Sequence, residues 1–563
     1  MALMLVLAVS HAVDAHAPRR MAQSQAAITS TWGSFGGNNR NWRTATIPGK
    51  FRTTPQIAFQ VDTQGSDVSA TPTVINNFVY FGDWSGFLYK VDAQTGAVSW
   101  KKNVTELVWP GGVGATNLLV TRTAATDAGN GNIIIGTQTL ILPGNFAGTQ
   151  GYVVSIRAKD ASTNWKSLPD PHPFAIVTAS PTVYKGAIYV GISSLEELVD
   201  AFGAPCCTFR GSVVRLDLLT GATQWQFFTA PENGGVPGWS GNAVWGSAPA
   251  IDEARGRVYV ATGNQYVAPE EVLECLEDPA NDTPAKKGAC VDVPGNWFNS
   301  VLSLDIETGE LVWGNRVSFF DVWTAACLPL LPTVTDCPFA ESPDYDFGQA
   351  PLYFPSVQCG SQRKDILVVG QKSGWGYGFD AATGATLWQT NSGVGSASGG
   401  MQWGTATDGV RTVYFQNSNF GFEDVTLTNP APGSPAVAPG GFATAVDVCT
   451  GEIKWQAAIP ITPARQSAAL GPPVYVREQG ANGNAYVVYP TLSNDGELAA
   501  FDAQTGEHYT TLIAGPGGSV SGPSVVNGIL YAGVGYRRFD YGARAESHGV
   551  TAFRLTAKDN KQG

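Results

Sequence analysis

Apolar and polar residues alternate along most of the chain with a period of two, in short runs such as VVRLD (213–217), which predicts short half-buried strands throughout. Many runs close on the same turn. It appears as VDAQTGAVSW (91–100), LDLLTGATQW (216–225), LDIETGELVW (304–313), FDAATGATLW (379–388) and VDVCTGEIKW (446–455). FDAQTGEHYT (501–510) lacks the Trp, and SIRAKDASTNW (155–165) is a degenerate copy. In each copy the Asp side chain accepts from backbone N–H groups of the turn, the Gly takes positive φ, and the Trp is placed to lie across a neighbouring sheet.

A second hairpin precedes each turn, as in TPTVINNFVYFGDWSGFLYKVD (71–92) and SPTVYKGAIYVGI (180–192), so one copy supplies four strands, a propeller blade. Copies end near Trp100, Trp165, Trp225, Trp313, Trp388, Trp455 and Thr510, and a last segment spans 521–555. The predicted fold is all-β, an eight-bladed β-propeller forming a single domain over 55–563. Its last copy is one strand short, and PQIAFQV (55–61) is expected to pair with it and close the ring. Residues 18–54 are expected to be an N-terminal extension. Three stretches, 232–245, 267–299 and 318–363, are too polar and Pro-rich for blades and are expected to be long, functional loops on one face.

Composition agrees: 66 Gly, 35 Pro and 11% aromatic residues accompany only 14% charged ones. A net charge of −12 disfavours nucleic acid and anionic membrane surfaces as partners. The start, MALMLVLAVSHAVDAHA, reads as a signal peptide over residues 1–17, no later run reaches the ~20 apolar residues of a membrane span, and eight cysteines fit an oxidising compartment. A secreted or periplasmic protein is expected. Cys275 with Cys290 and Cys327 with Cys337 are plausible local pairs, while the partners of Cys359 and Cys449 stay open. Adjacent Cys206 and Cys207 are open as well: they bridge each other, pair elsewhere or stay reduced. Beyond the leader only His172, His508 and His548 remain, too scattered for zinc.

Repeat spacing, the Asp-x-x-Thr-Gly-x-x-x-Trp signature and eight copies resemble the quinoprotein alcohol dehydrogenases. The stretches CCTFRGSVVRLD (206–217), WSGNAVWGSAPAIDEARGRVYVATGN (239–264) and PDYDFGQAP (343–351) are most similar to the polyvinyl-alcohol dehydrogenase branch. That branch often carries a haem c domain, whereas this sequence has no Cys-x-x-Cys-His. The resemblance therefore implies electrons passed to an external acceptor, such as a separate cytochrome or quinone.

It also implies a site. Cys206 and Cys207 would form a vicinal disulfide under pyrroloquinoline quinone, and Trp245 would stack on its other face. Lys372 would hydrogen-bond the quinone oxygens, with Thr178, Gln402 and Arg210 as further cofactor contacts. Calcium would be held by Glu196 or Glu197, by Asn264 and by Asp346, with Asp344 a companion; these are the hard oxygen donors such an ion takes. Asp346 would accept the proton of an alcohol while its carbon is oxidised, the metal polarising the quinone carbonyl. One departure stands out. Near the seventh and eighth blades the family often shows Trp-Gly or Gly-Gly-Trp, whereas RQSAALGPPV (465–474) and GPGGSVSG (515–522) do not, so one wall is changed. The contrasting expectation is a non-catalytic propeller serving as a binding or assembly scaffold, because fold alone does not fix function.

Overall fold

The computed structural model describes residues 27–109, 118–120, 122–140, 150–199, 206–328, 337–339, 342–463, 467–480, 483–536 and 549–557; the expected signal peptide lies outside them. Eight four-stranded antiparallel sheets follow one another around an axis. The first seven span 73–103, 126–167, 182–228, 250–316, 352–391, 406–458 and 474–513. The eighth combines Ser524–Val526, Ile529–Gly533 and Val550–Arg554 with the early strand Gln56–Val61, which pairs antiparallel to Val550–Arg554. The expected ring closure is thus observed.

The repeat signature explains how blades lock together. In the first blade Asp92 Oδ1 accepts from Thr95 N at 2.9 Å and Thr95 Oγ1 at 2.8 Å, folding the turn onto itself. Each signature Trp then donates from Nε1 to the carbonyl just past the corresponding turn position of the following blade: Trp165 to Leu218 at 3.2 Å, Trp225 to Ile306 at 3.3 Å, Trp388 to Val448 at 2.8 Å. The turn glycine leaves room for that indole. A Cβ on Gly221 would lie 2.5 Å from Trp165, and one on Gly506 2.6 Å from Trp455. Where the chain enters the first blade there is no preceding signature Trp, and Phe59 of the closing strand fills the hollow instead, 2.6 Å from where a Cβ on Gly96 would stand.

Two expectations need correction. Residues 27–54 are not an extension outside the propeller. Thr44–Ile47 adds a parallel fifth strand beside Val474–Glu478, and the residues before it contact segments of several blades. Arg43 is fully buried there, donating to the carbonyls of Phe35, Pro473 and Pro523, while Asn41 donates to those of Ala248 and Pro351. The sequence disguised this because the stretch is polar; its polar groups serve carbonyls at the converging ends of several blades. Likewise 318–363 is not all loop, since Leu352–Cys359 is the first strand of the fifth blade. Pro355 argued against a strand, yet it sits where the register shifts between Phe354 and Val357, with Ser356 at φ 55°, a bulge of the kind that accommodates proline.

The insertion at 267–299 folds into two short helices, Glu270–Glu277 and Pro284–Cys290, tied by Cys275–Cys290. The other disulfides are Cys206–Cys207, Cys327–Cys337 and Cys359–Cys449, the last joining the fifth and sixth blades. No described helix is long and apolar enough to cross a membrane.

Candidate active site

In a four-stranded blade, the segment entering the first strand and the turn between the second and third strands emerge at the same end. Those segments carry Thr178, Glu197, Trp245, Asn264, Asp344, Asp346, Lys372 and Gln402. All eight line one cavity of about 290 Å³, near the lower end of the roughly 300–1,000 Å³ usual for small-molecule sites.

Asp346 is its hub. Its Oδ2 accepts from Trp245 Nε1 at 3.0 Å and Lys372 Nζ at 3.2 Å, and its Oδ1 accepts from the backbone N–H of Asn264. Its carbonyl accepts from Lys372 N at 3.0 Å, fixing the two segments to each other. Lys372 Nζ also contacts both carboxylate oxygens of Asp344, at 3.0 and 3.1 Å, and lies 5.3 Å from the centre of the Trp245 ring. Glycines make space for this arrangement. A Cβ on Gly263 would stand 3.0 Å from Asp346 Oδ1 and 3.1 Å from Trp245 Nε1, and one on Gly348 2.8 Å from Trp245 Cη2.

The Asn264 carboxamide donates to the carbonyls of Gln265 at 2.9 Å and Trp323 at 2.7 Å, so both its N–H groups are committed and its oxygen is the group left to serve the cavity. Thr178 Oγ1 is buried with no hydrogen-bond partner among the described residues, an acceptor and donor facing a polar ligand at low cost.

Burial disfavours the Lys372 ammonium, but Asp344, Asp346 and Glu197 more than reverse this and its pKa lies above the ordinary lysine value. Burial lifts the Asp344 carboxyl well above its usual range, against the pull of Lys372 and with the push of Asp346, Glu197 and Asp321. Asp321, fully buried behind the site, is raised to about 7 by burial and then by Asp346, although it accepts from Asn299 Nδ2, Asp344 N and Tyr345 N. Asp321 was not read from the sequence, where Phe-Asp-Val looks like any strand end.

The two glutamates are placed differently. Glu197 lines the cavity. Glu196 faces away from it: its carboxylate accepts from Thr208 N at 2.9 Å, Thr208 Oγ1 at 3.2 Å and Phe209 N at 2.7 Å, with His172 Nε2 3.8 Å off, so it anchors the chain after the cysteine pair. Arg210 is also elsewhere, donating to Ala230 O and ion-pairing with Glu232 at 2.5 Å. Cys206 and Cys207 do bridge each other, but neither lines the cavity; they pack with Ala243, Tyr266 and Trp245 in the cluster beside it.

The changed wall is filled by residues that sequence reasoning missed. Trp403 meets Trp245 edge-on at 5.1 Å, and Arg122 lies over Trp403 at 4.6 Å while donating to Tyr536 Oη at 3.0 Å. Arg122 stands on no repeat signature. Only the ring closure brings it to Tyr536 from the opposite end of the chain.

The donor types suit a hard cation, since Glu197, Asn264 and Asp346 offer only oxygen. Among the described residues no three of His, Cys, Asp and Glu are grouped tightly enough to form a ready metal cluster. Lys372 occupies the gap between the aspartates. A planar aromatic ligand suits the indole of Trp245, with its backing glycines, two cations and the lone Thr178 hydroxyl.

Comparison with known proteins agrees with this fold. Residues 42–270 match the β-propeller domain of glucose/ethanol/alcohol dehydrogenases, and 293–535 match the outer membrane protein assembly factor BamB. A polyvinylalcohol dehydrogenase of Sphingopyxis sp. is 29% identical over 495 residues, which cover 82% of this chain and 66% of that protein. The match thus takes in just under two thirds of that relative's length. Among solved structures, quinohemoprotein alcohol dehydrogenase from Comamonas testosteroni superposes with a TM-score of 0.62 at 17% identity, covering 95% of this chain and 82% of that one. A europium-containing methanol dehydrogenase superposes with a TM-score of 0.60 at 16% identity, covering 89% of both chains. In sequence the chain is similar to polyvinylalcohol dehydrogenases and to quinone-dependent alcohol dehydrogenases over much of its length, and it shares the β-propeller fold of the solved quinohemoprotein alcohol dehydrogenases.

Proposed function

We propose that this protein is an oxidoreductase that converts an alcohol to a carbonyl with pyrroloquinoline quinone and a hard metal ion, calcium in the first instance, and passes the electrons to an external acceptor. The observation that carries the reading is the engagement of Asp346. A carboxylate offers about four lone-pair directions. Three are taken by Trp245, Lys372 and the Asn264 backbone, which orient the group rigidly and leave one direction open in the cavity.

That open position suits a proton acceptor for an alcohol hydroxyl. When bound, the quinone supplies the two-electron sink and the metal supplies Lewis acidity. Trp245 would provide the stacking face, Lys372 and Arg122 the positive charge opposite the ligand's oxygens, and Thr178 and Gln402 further polar contacts. Glu197 and Asn264 would hold the metal, beside the Asp346 carboxylate. Since one structural neighbour is named for europium, a lanthanide ion is the alternative to calcium. Disulfides and relatives support a secreted or periplasmic location, and a secondary alcohol of the polyvinyl-alcohol kind is the substrate the named relatives favour.

The assembly-factor match of 293–535 favours a second reading, a non-catalytic scaffold. Such a scaffold gains nothing from burying Asp344, Asp346 and Lys372 together, because buried ion clusters cost desolvation. Reconstitution with the quinone and Ca²⁺ or La³⁺, followed by a dye-linked assay with alcohols, separates the readings. Saturable quinone binding and turnover are expected; absence of both favours the scaffold.

A further inference from the structure

Glu196 is 2% exposed and stands between Leu195 and Glu197, which line the cavity, without lining it itself. The backbone N–H groups of Thr208 and Phe209 converge on its carboxylate, and serving both takes a side chain with two acceptor oxygens. The Thr208 hydroxyl joins them at 3.2 Å and is itself bonded to His172 Nε2 at 2.9 Å. His172 Nδ1 accepts from Phe174 N at 3.3 Å, so the bonding pattern assigns the ring proton to Nε2 and aims the hydroxyl proton at Glu196. The helical turn Glu196–Val199 is fastened where it begins, since Glu196 N donates to Ser194 Oγ at 2.9 Å and Leu195 N to Phe174 O at 3.1 Å.

The tie does not stop at Phe209. Its carbonyl accepts from Gly241 N at 2.8 Å, and the next N–H, that of Asn242, donates to the Asn264 carbonyl at 2.7 Å. Gly241 is required at this close approach, with φ at +95° and a Cβ that would lie 2.4 Å from Tyr266 N. The Phe209 ring stacks on Tyr266, which lines the cavity, with centroids 6.3 Å apart. One unbroken path therefore runs from Glu197, through its neighbour's carboxylate and two backbone steps, to Asn264. These are the two oxygen donors proposed for the metal.

We infer that Glu196 is a positioning residue for the metal site: it binds no ion itself, and its carboxylate fixes the separation of Glu197 and Asn264. This deepens the proposed oxidation and rests on its metal. An ion held between two donors is sensitive to their spacing, and a partner that orients a ligand commonly governs about 10–100-fold of metal affinity. A buried carboxylate is costly unless it is bonded, and three donors on one segment offset that cost while holding one end of the path.

The test is calorimetric titration of Ca²⁺, and separately of La³⁺, into the chelator-treated full-length protein with the quinone present. Glu196→Gln keeps the shape but turns one acceptor into a donor facing a backbone N–H, and is expected to weaken cation binding by about tenfold or more. Thr208→Val removes the hydroxyl, keeps the N–H, and is expected to weaken binding by about threefold. Thr208→Ser is expected to restore it. Cys449→Ser, which loses the disulfide between the fifth and sixth blades, is expected to bind the cation as the wild type does although its melting temperature also falls. Affinity unchanged in Glu196→Gln, or lowered equally in Cys449→Ser, overturns the inference. If Glu196→Gln does not fold, the Thr208 pair decides: loss in the valine variant with recovery in the serine variant supports the inference, and equal affinities in both refute it. A wild type that binds neither ion sinks the metal-dependent oxidation and this inference with it, a result distinct from binding that the substitutions leave untouched.

Discussion

The Trp245 indole N–H donates to Asp346 Oδ2 at 3.0 Å, joining the expected stacking plate to the expected proton acceptor across 101 positions of sequence. Asp346→Asn keeps the shape and removes the acceptor. Turnover is expected to fall by at least about a hundredfold, within the range general-base catalysis contributes, while quinone binding followed by fluorescence changes little. Full activity in this variant would remove Asp346 from the reaction.

Gly348 leaves room for the far edge of the Trp245 ring, 2.8 Å from where a Cβ would stand. Gly348→Ala should tilt the indole and cost roughly 1–3 kcal/mol of stability, as overpacking does. The sharper readout is quinone affinity, expected to weaken more than the melting temperature would suggest.

Asp321 has its pKa raised to about 7 by burial and by Asp346. A raised carboxyl holds its proton more tightly in the folded than in the unfolded state, so its contribution is full below about pH 4 and is lost as pH climbs through about 7. Urea unfolding of the metal-free protein and of Asp321→Asn should show the wild type losing ground to the variant over that window, by on the order of 4 kcal/mol. A difference that is flat with pH, or that grows in the wild type's favour, contradicts the assignment.

Cys359 and Cys449 bridge neighbouring blades across 90 positions. Cys449→Ser is expected to lower stability by about 2–4 kcal/mol, seen as a reduced denaturation midpoint, without altering affinity for the quinone.

Arg43 is fully buried, its pKa lowered to about 9 by burial, with three carbonyls as partners. Arg43→Ala strands those carbonyls, each at about 1–3 kcal/mol, and should lower thermal stability more than any single cavity substitution.

Repetition made the fold readable. The Asp-x-x-Thr-Gly turn and its Trp are local in sequence yet dictate contacts between blades, so counting them counted sheets. Asn264 and Lys372 were named by resemblance, and both sit in the turn between the second and third strands of their blades. What escaped was whatever depended on distant segments meeting. Arg122 reaches Tyr536 only because the ring closes, and Asp321 is notable only for the burial the surrounding loops impose on it. Glu196 and Glu197 are chemically identical in sequence, and the direction of a single helical turn separates them. Cys206 and Cys207 were correctly suspected of bridging, and they pack in the same apolar cluster as Ala243 and Tyr266.

Phe59, wedged at Gly96 by a strand that also hydrogen-bonds to Val550–Arg554, has a bearing on biosynthesis. Because an early propeller segment has its sheet neighbour some five hundred positions later, blades can form in order, yet the circle and the chamber within it wait until Val550–Arg554 has been made. Any small molecule that needs the closed chamber therefore arrives after that strand has been synthesised.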